Sequence, residues 1–146
     1  MGQAWEALAV AGAAAWLVAL SWFDVRQRRL PNALTLPGAA TILVAAVLAG
    51  HGTAAAAGAA VMFAVYAAVH LAAPQAMGAG DVKLSIGLGA LTGSFGVHVW
   101  LVAVLGASAL TVLLGLAALI RGDRAPLPHG PSMCAAAGAA VTLALL

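Results

Sequence analysis

Charge interrupts this chain at a few points and leaves long apolar runs between them. From Leu30 to Gly80 there is no Asp, Glu, Lys or Arg, and from Leu84 to Ile120 there is none again. A helix rises ~1.5 Å per residue, so the first run of 51 residues would extend ~76 Å as one rod, far beyond a hydrocarbon core of ~30 Å. It must fold back once, and "AGHGT" (Ala49 to Thr53) supplies the turn, two glycines flanking a histidine. The second run of 37 residues, ~55 Å if straight, is also too long for one crossing and breaks at "TGSFG" (Thr92 to Gly96). With Ala7 to Phe23 in front and Pro131 to Leu146 behind, the pattern predicts six helices, the fourth and sixth shorter than the ~20 residues of a comfortable span.

Composition turns that pattern into a membrane protein. The 146 residues are 64% hydrophobic and 7% charged, with a mean hydropathy of +1.08, whereas soluble domains carry about 25% charged residues. The lipid bilayer is therefore the expected surroundings. Basic residues collect on the cytoplasmic side of short loops, and six spans put all of them there: Arg26, Arg28 and Arg29, then Lys83, then Arg121 and Arg124. Were Leu84 to Ile120 a single span, the last two would face outward. The expectation is an all-α, polytopic six-transmembrane-helix bundle with both termini outside the cytoplasm, one domain over residues 1–146. It brings Asp24, Asp81 and Asp123 to the cytoplasmic face. The first apolar run lacks the basic start of a signal peptide and is followed by three arginines, as a stop-transfer flank is, so it reads as a retained helix.

Several chemistries are not suggested. Cys134 is the lone cysteine and can form no internal disulfide, and there is no C-x-x-C pair to frame zinc. His51, His70, His98 and His129 are scattered over different loops and helix ends, so no metal and no cofactor is expected. The chain has no nucleotide-binding glycine loop and no basic tract beyond the three arginines, so ATP and nucleic acid are not expected partners. Runs such as "AAAAGAA" (Ala54 to Ala60) and "AAAGAA" (Ala135 to Ala140) read as surfaces for close helix packing in lipid.

The acids remain as carriers of chemistry. Asp24, in "SWFDVRQRRLPN", ends the first helix, where the negative end of the helix dipole repels a carboxylate and a structural flank would favour Lys or Arg. The adjacent arginines can also hold it as a surface ion pair. Pro31 and Asn32 stop the segment and start a turn. Asp81, in "GAGDVKL", can be the N-cap of the fourth helix. The glycines at 78 and 80 do more than a cap requires, because they let an extended segment of another chain approach the backbone. Two carboxyls within a few Å cannot comfortably both ionise, so such a pair holds one proton near neutral pH and can hydrolyse an amide, one member acting as base and the other as acid.

"FDVRQRRLPN" (Phe23 to Asn32), followed two spans later by "MGAGDVKL" (Met77 to Leu84), resembles the paired signature of type IV prepilin leader peptidases, a class of G-x-G-D intramembrane aspartyl proteases. "LPHGPSMCAAAG" (Leu127 to Gly138) is similar to the Gly-Pro stretch that opens their last helix. The three segments occur in the family's order. The resemblance implies cleavage, at the cytoplasmic membrane surface, of the basic leader of a pilin-like precursor just before its hydrophobic helix. It matches Asp24 and Asp81 to the catalytic aspartates, and Gly78, Gly80, Lys83, Pro31 and Asn32 to motif positions that would place substrate and backbone. Paired cysteines and an N-terminal methyltransferase region of full-length members have no counterpart here, so the resemblance is to the short, peptidase-only form of the tight-adherence or Flp pilus type. Phe23 stands where presenilin-like relatives have tyrosine.

The other polar residues read more plainly. Asp123, between Arg121 and Arg124, is a solvated loop charge paired locally; Lys83 snorkels to the interface or biases Asp81. His70 is interfacial or hydrogen-bonded within the bundle, and His129, where the family motif often has an aromatic, reads as replaceable. Two other functions fit a small apolar bundle. A proton-coupled transporter would spread its acids through membrane depth, whereas these share one face. A noncatalytic subunit of a pilus or secretion machine would have no need of both aspartates. Nothing in the sequence sets the oligomeric state.

Overall fold

The computed structural model describes residues 2–146, which form six α-helices: α1 (Gly2–Gln27), α2 (Asn32–Leu48), α3 (Gly52–Ala72), α4 (Ala79–Ser94), α5 (Val97–Ile120) and α6 (Gly130–Leu145). The breaks fall where the charge gaps required them. Gly50 and Gly96 take φ of 81° and 108°, a region that side chains disfavour, and so let the chain reverse after α2 and α4. Pro31, extended at φ −65° and ψ 132°, starts α2 and cannot continue α1. The first helix runs further than expected at both ends, because Glu6, Asp24 and Arg26 are all compatible with helical backbone.

Lengths alternate along the chain. α1, α3 and α5 are 26, 21 and 24 residues; α2, α4 and α6 are 17, 16 and 16. Stretches in α1, α3 and α5, residues 3–27, 52–72 and 97–120, are long and apolar enough to cross a membrane. Large apolar side chains cover the outside of the bundle, Trp5, Val18, Val112 and Leu116 among them, each more than half exposed. In water that surface would drive aggregation; in lipid it needs no cover.

α4 is the central element. It packs against α2, α3, α5 and α6, and ten of its sixteen residues are buried. Its contact with α3 is backbone on backbone. A Cβ added to Gly89 would lie 2.9 Å from Ala59 Cα, and one on Gly93 would lie 2.8 Å from the Ala54 carbonyl oxygen. The Trp100 indole locks the crossing by donating to the Gly58 carbonyl at 3.1 Å. On the other flank Trp16 of α1 donates to the Leu34 carbonyl at 2.8 Å, and its ring occupies the space beside Gly38 and Gly87.

Replacing Gly89 with alanine must therefore push two backbones apart. The helix-propensity gain of ~1 kcal/mol is outweighed by an overpacking cost of about 1–3 kcal/mol. Gly89→Ala is expected to lower the thermal midpoint in detergent. Gly12→Ala, where a Cβ would meet nothing within 4 Å, is expected to leave it unchanged or raise it.

Candidate functional site

One end of the bundle gathers the last turns of α1, α3 and α5 and the first turns of α2, α4 and α6. Asp24 stands in the last turn of α1, only 7% exposed, so the solvated ion-pair reading does not hold for it. Its Oδ2 instead accepts from the Gly130 amide, the first residue of α6, at 3.0 Å. That donor is one of the free N–H groups at a helix start, where a negative charge is favoured. Position 130 has to be glycine for this contact, since a Cβ there would run into the Asp24 carboxylate. Arg26 lies over the Trp22 ring, 4.5 Å from its centroid. Arg28 closes α1, its amide donating to the Asp24 carbonyl at 2.9 Å with φ of 50°.

Asp81 is buried as well, at 9% exposure. It is not the N-cap: Gly78 holds that position in extended backbone, and Asp81 falls in the first turn with its amide bonded to the Gly78 carbonyl. Its carboxylate leans back over the cap, Oδ2 coming within 3.7 Å of where a Gly78 Cβ would stand. The helix start thus still favours a charge there.

The two motif glycines have different surroundings. Gly78 is exposed and lines the cavity described below. Gly80 makes room within the chain itself, for a Cβ there would press on Leu30 Cβ at 3.2 Å. Lys83 neither snorkels freely nor reaches Asp81; its Nζ donates to Asn32 Oδ1 at 2.9 Å and ties α4 to the start of α2. Pro31 accepts the Leu34 and Thr35 amides through its carbonyl, fixing that same start.

Both carboxylates open into one cavity of about 190 Å³, whose wall also includes Arg28, Gln75, Gly78 and His129. His129 was not expected to matter. Its Nδ1 pairs with Thr111 Oγ1 of α5 at 2.6 Å, and its Nε2 faces the Tyr66 hydroxyl of α3 at 3.5 Å. Burial holds its imidazole below the ordinary histidine range. The only hint in the sequence was a histidine directly before Gly130 and Pro131. His70 bonds the Met77 carbonyl at 2.7 Å and steadies the loop before α4. Asp123 accepts from the Ala125 amide at 2.9 Å, away from the cavity. Among the described residues no three acids, histidines or cysteines converge as a metal site.

Two buried acids from different helices line one small cavity, an arrangement that can put acid and base groups on a molecule held there. A sequence profile described as the type IV leader peptidase family matches residues 11–120. That stretch includes α1 from its middle onward, all of α2 to α5, and both aspartates. No curated protein and no solved structure matches the chain.

The Asp24–Gly130 contact can be isolated by a double-mutant cycle. Gly130→Ala is expected to destabilise the native chain by about 1–3 kcal/mol through overlap with the carboxylate. In an Asp24→Ala background most of that cost should vanish, as read from unfolding midpoints in detergent.

Proposed function

This chain belongs to the type IV leader peptidase family, and we propose that it is an aspartic endopeptidase in which Asp24 and Asp81 cut the basic leader from a pilin-like precursor of the Flp type. The observation that carries the reading is the opening of two buried carboxylates, from α1 and α4, into one cavity in a chain of this family. The reading includes a bacterial inner-membrane location, six spans with both termini outside the cytoplasm, the site at the cytoplasmic face, and a single peptidase domain over residues 1–146. The one-sided distribution of Lys and Arg supports that orientation.

The roles follow from the surroundings of each acid. The Gly130 amide donates to Asp24, an arrangement that holds negative charge, so Asp24 is the base and Asp81 carries the shared proton. Water adds to the scissile carbonyl as Asp24 takes its proton and Asp81 gives its own to the developing oxyanion. The resulting diol collapses when the proton on Asp24 passes to the leaving amine and the carbon–nitrogen bond breaks. Asp81 recovers a proton from the diol hydroxyl, which leaves a new carboxyl terminus and restores the pair. No covalent intermediate is required.

Substrate contacts follow the same logic. Gly78 leaves the backbone open beside Asp81, while Gly80, Lys83, Asn32 and Pro31 hold the two helix starts that frame the cleft. An apolar groove of about 580 Å³ between α1 and α6, lined by Leu17, Trp22, Val25 and Ala139, suits the precursor's apolar helix.

Purified protein in liposomes, incubated with a pilin-like precursor, should release the leader. Asp24→Asn and Asp81→Asn should each lower the rate by about 100- to 10,000-fold. Undiminished cleavage by both variants would sink the reading. A reporter active only outside the cytoplasm, fused after Leu146, should be active.

A further inference from the structure

His129, in the cavity wall, meets side chains of two other helices, Tyr66 of α3 and Thr111 of α5. We propose that His129 is a positioning residue of the reaction, clamping the start of α6 to α3 and α5 so that the Gly130 amide meets Asp24. This rests on the dyad reading above.

The argument begins with what α6 lacks. Its N-terminal turn has no capping side chain, and Pro131 offers no amide, so the segment before it has little local means of holding its place. His129 supplies the hold from outside. Nδ1 to Thr111 Oγ1, at 2.6 Å, fastens it to α5, and the Tyr66 ring of α3 lies tilted against the imidazole with centroids 5.9 Å apart. The Tyr66 hydroxyl sits 3.5 Å from Nε2, at the outer limit of a hydrogen bond. The histidine carbonyl meanwhile accepts the Met133 amide at 3.1 Å and opens the helix. The residue so fixed is covalently next to the donor. Gly130 N–H points at Asp24 Oδ2 because the peptide preceding it is anchored on two sides.

The chemistry suits a neutral ring. A neutral imidazole has one donor and one acceptor nitrogen, so it can accept from one hydroxyl and donate to the other; a protonated ring has two donors and no acceptor. Protonation therefore forces at least one of Thr111 and Tyr66 to reverse its hydroxyl, and it adds a cation to a wall that already holds Arg28. The ionisable groups that share the cavity wall with the ring or touch it are Asp24 and Arg28 from the end of α1, Tyr66 from α3 and Asp81 from α4; Cys134, further along α6, lines the apolar groove instead. Thr111 of α5 does not titrate. Burial that keeps the imidazole neutral protects the clamp at neutral pH, and acid undoes it.

Three variants separate positioning from mere folding. Precursor cleavage would be followed as kcat and KM against pH in liposomes, with the thermal midpoint of each variant measured alongside. His129→Ala and Thr111→Val are expected to lower kcat by about 10- to 100-fold, since misplacing a reacting group by about 1 Å costs that much, with KM changed far less. His129→Gln, whose amide can still pair with Thr111 but cannot titrate, should recover much of kcat. It should also flatten that part of the acid limb of the kcat profile which native protein shows below the ordinary histidine range. Native kcat in both His129→Ala and Thr111→Val, or an acid limb identical in native protein and His129→Gln, would overturn the proposal. A loss in His129→Ala that tracks only its thermal midpoint, with Thr111→Val unaffected, would do the same. Loss of cleavage in Asp24→Asn alongside native rates in the His129 and Thr111 variants would leave the dyad standing and remove only the clamp.

Discussion

Close backbone approach between α3 and α4 is the constraint on which the rest of this bundle depends. Lipid tails are as apolar as leucine, so burying apolar surface between helices gains little, and association rests on van der Waals contact and on interhelical hydrogen bonds. Gly58, Gly89 and Gly93 bring the two backbones together, and the Trp100 indole of α5 donates to Gly58 beside the joint. Once α4 is seated there it is surrounded by four other helices, and its first turn is committed to one end of the bundle. Asp81 lies in that turn. The position of Asp81 is thus set by glycines several turns away.

Two buried carboxylates strain such a structure, since a charge withdrawn from water costs several kcal/mol unless something stands in for the water. Here helix starts do so. Asp24 sits at the unfavourable end of its own helix, but the start of α6 is turned onto it and supplies the Gly130 amide. Asp81 benefits from the start of its own helix, over Gly78. Asp24 therefore relies on a backbone donor, whose direction is set by the α6 backbone and not by a rotamer, and Asp81 on its place in the first turn of α4. The arginines that follow Asp24 in sequence take other tasks, one against Trp22 and one closing α1.

Much of this was legible in the sequence because charge is so sparse. Uncharged gaps measure helices as a ruler does, and each break, at Gly50 and at Gly96 in particular, fell where a rod would have outrun the bilayer. The ends of α1 were less legible. A ruler made of charges stops at Glu6 and Asp24, while the helix, indifferent to side-chain charge at its ends, continues past both. Asp81 was misplaced by three residues as a cap because capping preference is carried by side chains, and here an extended glycine took the position without one. Lys83 and Asn32, each noticed separately, are partners across 51 positions, a pairing that no local pattern contains. The same holds more strongly for His129, Thr111 and Tyr66. Each is a single polar residue in apolar surroundings, and their separations of 18 and 63 positions have no periodicity to betray them.

What the fold adds to the motif is therefore connection between helix ends. In a bundle of alternating long and short helices, every second turn arrives at the same end, and towards this one polar groups from different elements meet. Lys83 meets Asn32, His70 meets the Met77 carbonyl, His129 meets Thr111 and Tyr66, and Asp24 meets Gly130. Five of the six helices contribute a side chain to these pairs, and α6 contributes its first amide. All but the buried Asp24–Gly130 bond are only partly buried or exposed, so each of those is individually weak. Their shared location gives them a joint effect: they set the spacing of three helix starts around the cavity, and with it the distance between the two acids. The polar joints and the close-packed crossing occupy different depths of the same helices, with Gly58 near the start of α3 and Gly93 near the end of α4, away from the end that holds the two acids.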